Sequence, residues 1–269
     1  MRAAKIILIT LLVLVSLVFG FTEVREHLSG AHIAPSITCD TDLLEVSVYA
    51  GEADLLAGVT AADPQDGDLT EEILIQGVSK LVDENTTRIT YIVFDSDGNL
   101  ASASRRLRYT DYTQPRFAIT QPLRYVVGSS MALLDRLQVT DVIDGDITNM
   151  VRVSSLSATH EAEIYTVDLQ VTNSLGDTAR ITLPVIVTSG NASRPVVNLR
   201  EYLVYLKVGD SFSAHSYLQN VTSTDGTATL EDVTITGLVD TTTPGTYLVC
   251  YRCSDSFGTG IAMLTVVVE

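Results

Sequence analysis

The sequence predicts an all-β chain: three tandem two-sheet sandwiches behind an N-terminal hydrophobic helix. Three observations carry this. Pro35, Pro115 and Pro195 open three segments at a constant step of 80 residues. Each segment holds an acidic Asp-Gly turn: Asp66-Gly67-Asp68, Asp144-Gly145-Asp146 and Asp225-Gly226-Thr227. Each then runs an alternating apolar stretch into a second turn: Asp95-Ser96-Asp97-Gly98, Asn173-Ser174-Leu175-Gly176 and Asp255-Ser256-Phe257-Gly258. A period of this length exceeds that of solenoid repeats and suits a small domain in tandem.

The chain begins with Arg2 and Lys5 ahead of an apolar run, Ile6 to Phe21. As a helix this run spans about 24 Å, somewhat short of the roughly 30 Å hydrocarbon core. It reads either as a secretory signal cleaved near Val18-Phe19-Gly20, or as a retained anchor with residues 1–5 in the cytoplasm. The anchor is preferred. Both readings put the body outside the cytoplasm: cell membrane, single-pass, or else secreted. The last residues, Val266-Val267-Val268-Glu269, fall in an expected strand without a sorting tail, so the N-terminal helix is the expected tether. Residues 22–34 read as a short polar stalk.

Expected domains follow at 35–110, 115–188 and 195–269, with connectors of about five residues that hold neighbours close. Within each, one strand alternates with period two. Its inward faces are Thr87, Ile89, Tyr91, Val93; then Tyr165, Val167, Leu169, Val171; then Tyr247, Val249, Tyr251, Cys253. The strands that follow, 100–109, 179–187 and 260–268, complete hairpins across the Gly-containing turns. Upstream, 55–60, 137–140 and 218–222 read as strands ending in the acidic turns. About seven strands in some 75 residues, with frequent turns, predict an immunoglobulin-type sandwich. The Leu264–Val268 strand is apolar enough to need cover.

Composition narrows the function classes. The formal charge is −16, and Lys5, Lys80 and Lys207 are the only lysines, so a nucleic-acid polyanion would be repelled. Three cysteines make no disulfide framework. Cys250 and Cys253 lie three apart on a strand, on opposite faces about 10 Å apart, too far to bridge. Cys253 reads as core and Cys250 as outward. His27, His32, His160 and His215 are scattered, with no zinc-ligand spacing and no visible nucleophile partner.

The stretch Gly58-Val59-Thr60-Ala61-Ala62-Asp63-Pro64-Gln65-Asp66-Gly67-Asp68-Leu69-Thr70, followed by Tyr91-Ile92-Val93-Phe94-Asp95-Ser96-Asp97-Gly98-Asn99, resembles bacterial Ig-like surface modules. These include the family named after a pesticidal crystal protein and the related hyalin-repeat and cadherin-like modules. Repeat two keeps Val139-Thr140-Asp141 with Asp144-Gly145-Asp146-Ile147-Thr148; repeat three keeps Pro244-Gly245-Thr246-Tyr247 but has Thr227 at the second aspartate. The resemblance implies spacers, adhesive units or binding units.

The acidic turns are the candidate site. In an immunoglobulin-type sandwich the two turn-bearing loops share the end where the chain enters. Asp63, Asp66, Asp68, Asp95 and Asp97 then converge in the first repeat, and Asp141, Asp144 and Asp146, with Asp111 on the connector, in the second. Calcium takes six to eight oxygens and would stiffen such a joint. The plainer reading is that Asp and Gly are what tight turns demand. Tyr109, Tyr112, Tyr125, Tyr202 and Tyr205 are expected to pack at module joints. The expected function is a non-catalytic, membrane-tethered surface rod or adhesive module with a protein or glycan ligand. The alternative is a secreted glycan- or cell-wall-binding module stiffened by calcium.

Overall fold

A computed structural model of the chain describes residues 13, 15–19, 33–83 and 85–269. The expected tip at 1–5 lies outside these residues, as do most of the anchor at 6–21 and the stalk at 22–34; Val13 and 15–19 are helical and exposed. No helix among the described residues is long and apolar enough to cross a membrane. The chain forms two compact units, Met1–Asp111 and Tyr112–Glu269.

The first unit holds one sandwich. Its strands are β1 (Ser36–Cys39), β2 (Leu43–Val46), β3 (Val59–Asp63), β4 (Gly67–Asp68), β5 (Leu74–Val78), β6 (Thr86–Phe94) and β7 (Leu100–Tyr109). They form a small sheet, β1-β3-β4, and a larger one, β2-β7-β6-β5. The first strand is therefore split. β1 pairs with β3, then the chain crosses over and β2 runs parallel to β7. This ties the two sheets together and covers the long last strand.

The second unit repeats the plan twice. One sandwich uses β8 (Arg116–Ile119), β9 (Arg124–Val126), β10 (Leu137–Asp141), β11 (Gly145–Asp146), β12 (Arg152–Ala158), β13 (Ile164–Thr172) and β14 (Thr178–Thr188). Its sheets are β11-β10-β8 and β12-β13-β14-β9. The other uses β15 (Val196–Leu199), β16 (Leu203–Leu206), β17 (Leu218–Thr222), β18 (Thr234–Thr236), β19 (Gly245–Asp255) and β20 (Gly258–Val268), in sheets β15-β17 and β16-β20-β19-β18. The short ribbon made by β4 and β11 has no counterpart in its described residues. The second aspartate of the turn is missing at the same place, where Thr227 stands.

The cores follow the alternation. Ile89, Tyr91 and Val93 on β6, Val167, Leu169 and Val171 on β13, and Val249, Tyr251 and Cys253 on β19 are all buried. Glycine is required where the acidic loops turn: Gly67 and Gly145 hold φ of 82° and 72°, a left-handed backbone that a Cβ disfavours.

Two expectations need correction. The strand expected from residue 55 begins at Val59, because Glu52–Leu55 winds into one helical turn, with the Asp54 carboxylate accepting from the Gly51 N–H at 3.0 Å. The apolar C-terminal strand has the cover it was expected to need, since β20 lies between β16 and β19. Cys250 points out of its own sandwich, as expected, yet it is buried: with Met263 it packs against Ile164 and Ile186 of the preceding sandwich.

Candidate functional site

The two acidic loops meet at one end of each sandwich, as the fold type demands. In the first, the Asp66 carboxylate reaches across to the 95–99 turn. It accepts from the Ser96 N–H at 2.7 Å and the Ser96 hydroxyl at 2.8 Å. In the second, Asp144 does the same to Ser174, at 2.6 and 2.7 Å. In the third, Asp225 accepts from the Ser256 hydroxyl at 2.8 Å. Four of these five bonds join equivalent positions in the first two sandwiches, so the loops are held by one design.

The first aspartate of each motif folds its own loop. Asp63 Oδ1 accepts from the N–H groups of Gln65 and Asp66, at 2.7 and 2.9 Å. Asp141 Oδ1 accepts from Ile143 and Asp144, both at 2.9 Å. The third aspartate caps the next turn: Asp68 takes the Thr70 N–H and Asp146 the Thr148 N–H, each at 2.9 Å. The threonine hydroxyls hold both carboxyls below the usual carboxylate range.

The outer turns differ. Asn173 sits buried. Its Nδ2 donates to Asp141 Oδ2 at 3.0 Å and to the Tyr112 hydroxyl at 2.8 Å. Tyr112 in turn donates to Asp177 at 2.8 Å, and burial, with that bond, pushes its phenol well above the usual value. The first sandwich has Asp95 where the second has Asn173. Asp95 Oδ1 and Oδ2 accept from the Asn99 N–H and Nδ2, both at 2.7 Å. Although burial pulls its pKa upward, these bonds hold it below the usual range. Asp97 is exposed. Asp111 is turned to its own sandwich, accepting from the Ser47 hydroxyl at 2.7 Å and the Val48 N–H at 2.8 Å. The Ser47 bond leads in lowering its pKa. Among the described residues, no group of three or more His, Cys, Asp or Glu side chains is placed to hold a metal ion.

Other sequence candidates fall elsewhere. His160 and His215 are exposed, and His27 and His32 lie outside the described residues. Of the tyrosines expected at joints, Tyr205 meets the neighbouring sandwich, where its hydroxyl accepts the Phe117 N–H at 3.2 Å and Arg116 lies 4.8 Å over its ring. Tyr202 also lines this joint, beside Leu123, Arg124 and Ile186 of the second sandwich, while packing on the core of the third; Tyr109 and Tyr125 are instead core residues.

Sequence reading anticipated tyrosine packing at the joint inside the second unit, but not its polar clasp. Arg124 spans it, its Nη2 donating to the carbonyls of Val197 and Ile261, both at 3.0 Å. Arg194 pairs with Glu163 at 2.7 Å, and Arg252 with Glu161. Leu203 and Val267 pack on the core of the preceding sandwich. A cavity of about 220 Å³ opens at this joint beside Arg124, Arg194 and Ile261.

Residues 201–265 match the family model described as "Bacterial surface protein, Ig-like domain". The resemblance to bacterial Ig-like surface modules thus holds for the third sandwich. No curated protein matches the chain. Among solved structures, the chain is similar to the M60 catalytic domain with CBM51-1 and CBM51-2 domains of Clostridium perfringens ZmpB. Identity is 10% and TM-score 0.24, covering 88% of this chain and 31% of that one. A second ZmpB structure, of CBM51-2 in complex with GlcNAc and INT domains, gives 14% and 0.24 over 87% of this chain and 42% of that one. Human CDH23 EC21-23 gives 10% and 0.21, covering 87% of this chain and all of that one. The chain thus spans less than half the length of either ZmpB structure. Overlays this loose carry no argument, and the sandwich fold rests on the sheets themselves.

Proposed function

We propose that the chain is a non-catalytic surface protein, held by its N-terminal apolar segment, whose Ig-like sandwiches form a rod that spaces or presents an interaction face outside the cytoplasm. The match of residues 201–265 to a bacterial surface Ig-like model carries this reading. The loop chemistry supports it. Asp66, Asp144 and Asp225 are engaged in fastening one loop to another, the role of a structural strut rather than of a general acid or nucleophile. The buried joint in the second unit supports it too, because a spacer must resist bending.

Tyr49, 79% exposed, offers a test of location. Tyr49→Cys in a Cys39→Ser background is treated on intact cells with a membrane-impermeant maleimide. The expected result is labelling without lysis and a product that sediments with membranes. Labelling only after lysis would overturn the extracytoplasmic placement, and labelled protein wholly in the medium would overturn the tether. Capture of cell-surface partners or glycans by the full chain then separates an adhesive unit from a passive spacer.

A further inference from the structure

The second sandwich explains what the first one lacks. Asp63 and Asp141 are equivalent: each is 6% exposed, and each spends Oδ1 on the same two N–H groups of its own loop. The second oxygens therefore face the same way. In the second sandwich, Asp141 Oδ2 receives the Asn173 amide. In the first, Asp63 Oδ2 is buried and receives no hydrogen bond.

The residue opposite explains why. Asp95 holds the position of Asn173 in the same turn, with the same closing bonds: Asp95 N–H to the Asn99 carbonyl at 3.1 Å, and Asn173 N–H to the Asp177 carbonyl at 3.0 Å. Oδ1 of each accepts the N–H four residues on, at 2.7 and 2.9 Å. Asp95 Oδ2 thus stands where Asn173 has its Nδ2. An acceptor, already taken by the Asn99 Nδ2 at 2.7 Å, replaces a donor, so Asp63 Oδ2 meets no amide there. A buried anionic oxygen without a partner is costly, and a cation beside it relieves that cost.

We propose that the first sandwich binds one hard divalent cation, of the calcium type, between Asp63 Oδ2 and Asp95, and that the second and third do not. The all-oxygen donor set favours calcium over softer metals. Asp66, Asp68 and Asp97 add negative charge in the same two loops, and none of these five carboxylates forms an ion pair among the described residues. That field favours a cation over a shared proton at neutral pH. Two carboxylates leave the remaining coordination to water and backbone carbonyls. Asp97 stands where the second sandwich buries Leu175. Both changes, at 95 and at 97, turn a self-sufficient loop pair into an anionic one.

Isothermal calorimetry of the full chain in mild detergent with calcium chloride is expected to give one equivalent bound, and thermal melts a rise of several degrees that chelator reverses. Asp95→Asn with Asn99→Asp recreates the Asn173–Asp177 arrangement. It is expected to abolish binding and, in chelator, to melt above the wild type. Asn173→Asp is expected to give a second equivalent. No heat of binding and an unchanged melt at millimolar calcium would overturn the proposal. So would an undiminished response in that double variant, or two or more equivalents in the wild type. Because these readouts belong to the purified chain, they stand or fall apart from the surface placement.

Discussion

Asp66 and Asp144 each close a loop pair with two hydrogen bonds, and that pairing was half legible in the sequence. The Asp-Gly turns and the following Ser96 and Ser174 recur at fixed spacing, so their meeting followed from the fold type. That Asp66 and Asp144 are spent on these serines depends on side-chain direction, which spacing does not encode. Arg105 was equally hidden. The alternation puts it on the inward face with Leu107 and Tyr109, where a charge is unexpected. It is accommodated because it donates to the Tyr91 hydroxyl at 2.9 Å and the Ala57 carbonyl at 2.6 Å, and reaches Asp40 at 3.3 Å. The aspartates also set the acid response. Hydrogen bonds, led by Thr148 at Asp146, Ser155 at Asp168, Ser223 at Asp225 and Thr242 at Asp240, hold these four carboxyls below their usual range. A folded-state pKa below the unfolded value means that the unfolded chain binds more protons in acid. This stabilisation is complete above the unfolded value of about 4 and is lost as pH falls through the folded values. Urea midpoints are expected to hold from about pH 7 to pH 5 and to drop below about pH 4. A midpoint flat to about pH 2 would contradict the assignment.

The hairpins β6–β7, β13–β14 and β19–β20 were the most legible elements, because period-two alternation needs no knowledge of neighbours. Their inward residues are the cores observed. The split first strand was not legible: β2, β9 and β16 are short and owe their place to pairing with the distant last strand of the same sandwich. The helical turn at Glu52–Leu55 shows local capping prevailing over a weak strand pattern. In the third sandwich, one glycine governs how closely the sheets approach. A Cβ on Gly260 would fall 1.9 Å from the Pro195 carbonyl oxygen, well inside contact distance. Gly260→Ala is therefore expected to destabilise this sandwich by on the order of 2 kcal/mol, read as a lowered melt of the second unit. A melt unchanged from the wild type would show that β15 and β20 can separate freely there.

At the level of the whole molecule, the repeat foretold three sandwiches but not how the last two join. Cys250 carries that lesson. It faces away from its own core, as alternation requires, and is buried all the same because Ile164 and Ile186 of the preceding sandwich cover it. Burial also raises the thiol pKa, so it should react slowly with alkylating reagents while the joint stays closed. A spacer depends on such joints, since connectors of a few residues limit bending only if the surfaces beside them bind. The central physical claim is that the second and third sandwiches move as one body. The most direct measurement is the distance distribution between spin labels at exposed Met150 and Leu238, introduced as cysteines in a Cys39→Ser background and read by double electron–electron resonance. The account predicts a single narrow peak, broadened when Arg124→Ala and Glu163→Ala remove the clasp. A broad distribution in the parent chain would contradict it.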